Sequence, residues 1–127
     1  MTMRTPLGRV RGLGSAKSGT GDFWLQRVTA VAAVPLTIAG VWLMISLTGR
    51  SYTSVKQILA SPLVAVLMLL FILTNVVHMR IGMQEIIVDY VHDEKQKLAL
   101  LLLNTFYVIA IGLACAFAIL KLSFGVV

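Results

Sequence analysis

Charge is what this sequence has least of. Only 13% of its 127 residues are Asp, Glu, Lys or Arg, about half the share usual in a soluble domain. With a mean hydropathy of +0.91, the chain lacks the polar surface that would keep a folded domain in water. Cysteine is almost missing. The single Cys115 excludes an intrachain disulfide and any cysteine-held metal cluster, and reads as a small packing residue. Histidine occurs twice, as His78 and His92, and acids number five, none before Asp22. No flavin-binding motif is present. The net charge of +6 comes without interleaved aromatic and basic residues on one surface, which argues against nucleic-acid binding.

What fills the chain instead is apolar sequence in three long runs. Val28 to Thr48, Pro62 to Met79 and Leu98 to Leu120 contain no Asp, Glu, Lys or Arg. Each is long enough to cross a hydrocarbon core of roughly 30 Å at about 1.5 Å per helical residue. The expectation is an all-α membrane protein, a single anchor domain over 1–127. Its three transmembrane helices run over about 28–48, 62–90 and 98–124.

Residues 1–27 read as a basic, Gly- and Ser-containing arm of little helical amphipathicity. A mitochondrial transit peptide is the alternative for that arm. The first run is too long for a signal peptide, and no small-residue cleavage site follows it. "TGRSYTSVKQILASP" reads as the loop between spans one and two, with Pro62 suited to the first turn of span two. Pro35 is a candidate kink, and Trp24 a candidate interfacial anchor at the edge of span one.

Orientation follows from the basic residues. Arg4, Arg9, Arg11, Lys17, Arg27, Arg80, Lys95 and Lys97 share one side of a three-span chain; Arg50, Lys56 and Lys121 are on the other. Positive charge is retained inside, which puts the N-terminus in the cytoplasm and the C-terminus in the periplasm.

Against this background "TNVVHMRIGMQEIIVDYVHDE", residues 74–94, is unusual. At 100° per residue, His78, Gly82, Glu85 and Asp89 fall near one helix face, with Arg80 roughly opposite. His78 lies at membrane depth, while Asp89 and Tyr90 reach the cytoplasmic interface, Tyr90 about 18 Å further along the helix. A histidine one turn before a glycine suits a haem: imidazole supplies an axial nitrogen, and the missing side chain lets the porphyrin lie close. The plainer reading is a histidine hydrogen-bonded to a neighbouring helix. Asp89 and Tyr90 could equally be interfacial anchors. His78 and His92 are fourteen residues apart, about 21 Å on a continuous helix, so they cannot ligate one iron within one chain. A second axial ligand would come from another subunit.

The sequence resembles the hydrophobic anchor subunits of succinate dehydrogenase, respiratory complex II, and among these the smaller kind. The resemblance rests on "DFWLQRVTAVAAVPL", with Asp22, Phe23, Arg27, Thr29 and Ala30 in a D-F-x-x-x-R-x-T-A entry to span one. It rests also on "HMRIGMQEIIVDY", where His78, Gly82, Asp89 and Tyr90 keep the family's spacing on the second of three spans. It implies that His78 is one axial ligand of haem b, with Arg27 on a propionate and Gly82 as packing space. Tyr90 would hydrogen-bond a ubiquinone carbonyl and Asp89 support that site.

The implied partners are a second anchor subunit completing the helical bundle and the haem site, an iron–sulfur subunit, a flavoprotein subunit and the lipid bilayer. The implied location is the bacterial inner (plasma) membrane, or else the mitochondrial inner membrane. No residue of this chain would be catalytic on its own; it would serve a succinate:quinone oxidoreductase. Glu85, Arg80 and His92 receive no role, and span three reads as scaffold. The competing expectations are a homodimeric cytochrome b using His78 from each copy, and a non-redox three-span transporter or assembly factor.

Overall fold

A computed structural model describes residues 5–12 and 19–125, so Arg4 and Lys17 of the basic tally lie outside the described residues. The helices are α1 (Pro6–Val10), α2 (Thr20–Leu47), α3 (Tyr52–Ala60), α4 (Pro62–Tyr90) and α5 (Glu94–Ser123). The three expected spans are α2, α4 and α5, each long and apolar enough to cross a membrane. At 28, 29 and 30 residues they reach about 42 to 45 Å, more than the roughly 30 Å hydrocarbon layer requires.

The ends of these helices have local causes. α2 begins at Thr20 with Asp22 in its first turn, where a carboxylate suits the positive end of the helix dipole. The helix therefore takes in eight residues that the apolar pattern alone assigns to the arm. Gly49, at φ +75°, turns the chain after α2 in a conformation that costs glycine little. The expected loop after α2 contains a helix. Ser51 caps it by accepting from the Ser54 amide, and Ser61 ends it in the extended conformation that a following proline enforces. Pro62 then opens α4. Asp93 caps α5 by accepting from the Gln96 amide at 2.8 Å. Pro35 sits inside α2, which continues unbroken around it.

Both other spans pack on α4. Little of the chain is covered by itself. Among the described residues, the buried apolar ones are Leu36, Ala65, Ile81, Ile87 and Val108, and beside them stand three buried polar ones, Thr29, Thr74 and Asn104. Lipid is as apolar as leucine, so helices in a bilayer are held by close packing and hydrogen bonds rather than by hydrophobic burial.

The α4–α5 seam shows both devices. A side chain at Gly112 would come within 3.3 Å of the Val76 methyls, so the two helices approach closely there. Further along, Asn104 Nδ2 donates to the Arg80 carbonyl at 3.0 Å, and Lys97 Nζ donates to the Val88 carbonyl at 3.1 Å. The order of these contacts makes the two helices antiparallel.

Candidate functional site

The α2–α4 seam carries the site. Thr29 is the tenth residue of α2 and is 8% exposed. Its Oγ1 lies 3.1 Å from Nδ1 of His78 on α4. The same Oγ1 is 2.7 Å from the Leu25 carbonyl and 3.0 Å from that of Gln26. Hydroxyls in helices bond back to the preceding turn in this way, which fixes their direction. Among the described residues, Nδ1 of His78 has a hydrogen-bond partner and Nε2 has none.

One turn beyond His78, Gly82 faces open space: a side chain there would meet nothing within 4 Å. A glycine at a packed seam would have shown close neighbours, as Gly112 does. Among the described residues, none fills the space beside Gly82. Imidazole with a free Nε2 beside an open helix surface is a donor set that fits a haem iron, with Gly82 leaving the porphyrin access to the backbone. No group of three or more His, Cys, Asp or Glu that could hold a metal ion occurs among the described residues.

Towards the end of α4, Gln26 Nε2 donates to Glu85 Oε2 at 2.8 Å. This contact gives Glu85 the partner that the sequence left unassigned. Beyond it an open cleft of about 420 Å³ lies between the start of α2 and the end of α4. Asp22, Glu85 and Asp89 are the charged side chains that line it among the described residues. Tyr90, the last residue of α4, is not among its lining residues and is 76% exposed. Asp89 and Tyr90, consecutive in sequence, are thus divided between the cleft and the surface.

Arg27 is exposed, and its guanidinium stacks 4.2 Å from the centre of the Phe23 ring. Such stacking occupies the face of the guanidinium and leaves its in-plane N–H groups for a carboxylate. Arg80 lines an adjoining cleft between α2, α4 and α5, which shares Asp22, Ile81 and Gln84 with the first. His92 is exposed in the short connection between α4 and α5. It is well separated from His78 along the chain.

Sequence reasoning named Thr29 as part of a motif but gave it no task, and it passed over Gln26, Asn104 and Gly112. A polar, uncharged residue in the middle of an apolar span is the signal that would have found Asn104. Nothing in the sequence pairs Gln26 with Glu85.

Fold and site define the class: a three-span helical membrane protein that holds one imidazole at a helix seam within the apolar layer. Residues 1–112 match the model of a known family, the succinate dehydrogenase/fumarate reductase transmembrane subunit. The chain belongs to that family. It is similar to the succinate dehydrogenase hydrophobic membrane anchor subunit of Paracoccus denitrificans, 28% identical over 123 residues, which are 97% of this chain and 95% of the relative. The subunit of the same name from Rickettsia bellii (strain RML369-C) is 29% identical over 102 residues, 78% of this chain and 79% of the relative.

Proposed function

We propose that this chain is the smaller membrane anchor of a succinate:quinone oxidoreductase. In this reading it supplies one axial ligand to a haem b and one wall of a ubiquinone site. The observation that carries the reading is His78, with Nε2 free and open space at Gly82 one turn away, in a chain of this family. When bound, the haem supplies a one-electron centre inside the membrane. His78 would hold its iron on one side, and Arg27 would offer in-plane donors to a propionate. A further ligand would come from a second anchor subunit, because the other histidine, His92, lies fourteen residues beyond His78, about 21 Å on a continuous helix.

At the end of α4, the Tyr90 hydroxyl would donate a hydrogen bond to a quinone carbonyl, and Asp89 in the acidic cleft would support that site or its proton supply. Because Tyr90 is 76% exposed, the described residues give a quinone little cover there. A desolvated site there is completed by another subunit. The positive-inside rule places this end of α4 in the cytoplasm, on the side where soluble flavoprotein and iron–sulfur subunits would dock. The bacterial origin of the relatives supports the inner (plasma) membrane as the location.

Purification in mild detergent tests the reading. A flavoprotein, an iron–sulfur protein and a second anchor should accompany the chain, with a b-type haem spectrum. Expressed alone, the chain should show no bis-histidine spectrum. A full bis-histidine spectrum from the isolated chain would favour a homodimeric cytochrome b. A partnerless, haem-free protein in its native membrane would favour a non-redox role.

A further inference from the structure

We infer that Thr29 is the positioning residue for His78: its hydroxyl holds the imidazole as the Nδ1–H tautomer, so that Nε2 presents a bare lone pair to iron. The inference rests on the haem reading above and adds to it a residue of the opposite helix. A hydroxyl owns one proton, and Oγ1 of Thr29 has three neighbours: the Leu25 carbonyl at 2.7 Å, the Gln26 carbonyl at 3.0 Å and Nδ1 of His78 at 3.1 Å. The carbonyls can only accept. The proton goes to the shortest contact, Leu25, and the hydroxyl then turns a lone pair toward the ring.

An unprotonated Nδ1 would set two lone pairs against each other at 3.1 Å. A protonated Nδ1 donates into that lone pair instead. In a neutral imidazole the proton on Nδ1 leaves Nε2 as the acceptor, which is the form that binds a metal. The bond does a second thing. Donation from Nδ1–H makes the ring a stronger electron donor through Nε2, which favours ferric over ferrous iron.

The location makes the arrangement selective. Thr29 is 8% exposed and sits in the seam, so its hydroxyl is shielded from most competing partners. Its direction is set by its own helix through the back-bonds to the preceding turn. The Thr29 hydroxyl is therefore a fixed acceptor on one helix aimed at a ring on another. A valine at this position would fill nearly the same volume and offer nothing to Nδ1.

The experiment uses the assembled complex purified from membranes, with Thr29→Val, Thr29→Ala and Thr29→Ser beside wild type and His78→Ala. The readouts are a redox titration of the haem absorbance and the low-temperature electron paramagnetic resonance of the ferric haem. Thr29→Val and Thr29→Ala should raise the midpoint potential, with a roughly threefold fall in the ferric-to-ferrous ratio at the wild-type midpoint, or about 30 mV. They should also alter the ferric low-spin signal, while Thr29→Ser stays close to wild type.

The inference is overturned if Val and Ala behave as wild type, or if Ser shifts as far as Val. It is overturned as well if neither hydroxyl-free variant assembles while Ser does, since the hydroxyl would then be a helix joint only. The His78→Ala arm separates the two levels. If that variant keeps the native haem signal, the haem reading itself falls. If it loses the signal while Val and Ala match wild type, only the role of Thr29 falls.

Discussion

The two seams of this molecule are built differently, although α4 is common to both. Against α5, α4 offers main-chain acceptors and a packing contact: Asn104 and Lys97 donate to its carbonyls, and the Val76 side chain sits against Gly112. Against α2, α4 offers side chains: His78 meets Thr29 and Glu85 meets Gln26. A bond to a carbonyl of a continuous helix fixes where that helix is, whatever residue stands there. A bond between two side chains fixes the direction of a functional group. The α4–α5 seam is a joint, and the α2–α4 seam is where orientation has been imposed on groups that can do chemistry.

The largest effect should come from the α2–α4 side. His78→Ala should remove or strongly weaken the low-spin haem signal of the assembled complex, whereas His92→Ala should leave it intact. Difference spectra of the two purified variants decide the matter; an inverted result would put the haem elsewhere and dissolve the contrast between the seams.

Next in size is Tyr90→Phe, which keeps the ring and deletes the hydroxyl. Loss of one hydrogen bond in a desolvated site costs about 1 to 3 kcal/mol, or roughly ten- to a hundredfold in quinone reduction. Reduction of an artificial acceptor upstream of the quinone should continue at the wild-type rate. Haem content should persist, because Tyr90 is about 18 Å along the helix from His78. A normal rate with ubiquinone would make Tyr90 an interfacial aromatic and leave Asp89 as the residue to test.

The two glycines sharpen the comparison further. A side chain at Gly112 meets Val76 at 3.3 Å, and one at Gly82 meets nothing within 4 Å. Gly112→Val should destabilise the chain by about 1 to 3 kcal/mol through overpacking, read as a lower unfolding midpoint in detergent, with the haem spectrum of the surviving complex unchanged. Gly82→Leu should do the reverse, leaving the chain's own packing intact and lowering haem occupancy. Equal loss of stability in both would mean that Gly82 is a packing position after all.

The smallest effect should be Asn104→Leu, which removes the donor to the Arg80 carbonyl at nearly constant volume. Hydrogen bonds between membrane helices are worth about 0.6 kcal/mol on average and up to about 2. A shift of that size in unfolding, with unaltered haem and quinone kinetics, is the expected outcome. A change in the haem spectrum would show that the two seams are coupled.

The number of spans is legible in the order of residues alone, because backbone groups in a bilayer must be satisfied within each segment and a helix is the form that does so. So is the stripe of His78, Gly82, Glu85 and Asp89, since helical periodicity requires nothing beyond the local chain. The helical turn within the loop at Tyr52–Ala60 and the start of α2 at Thr20 were less legible. There the apolar pattern is weak, and capping by Ser51 and the placement of Asp22 set the ends. Which side chains face one another is a property of the packed helices. Thr29 and His78 are 49 residues apart, and Gln26 and Glu85 are 59 apart. No local rule encodes that register. It follows from how α2 rotates and slides against α4, which depends on close packing summed over both seams at once. For the same reason two glycines that look alike in sequence differ in the fold, one pressed against Val76 and the other left open beside the imidazole.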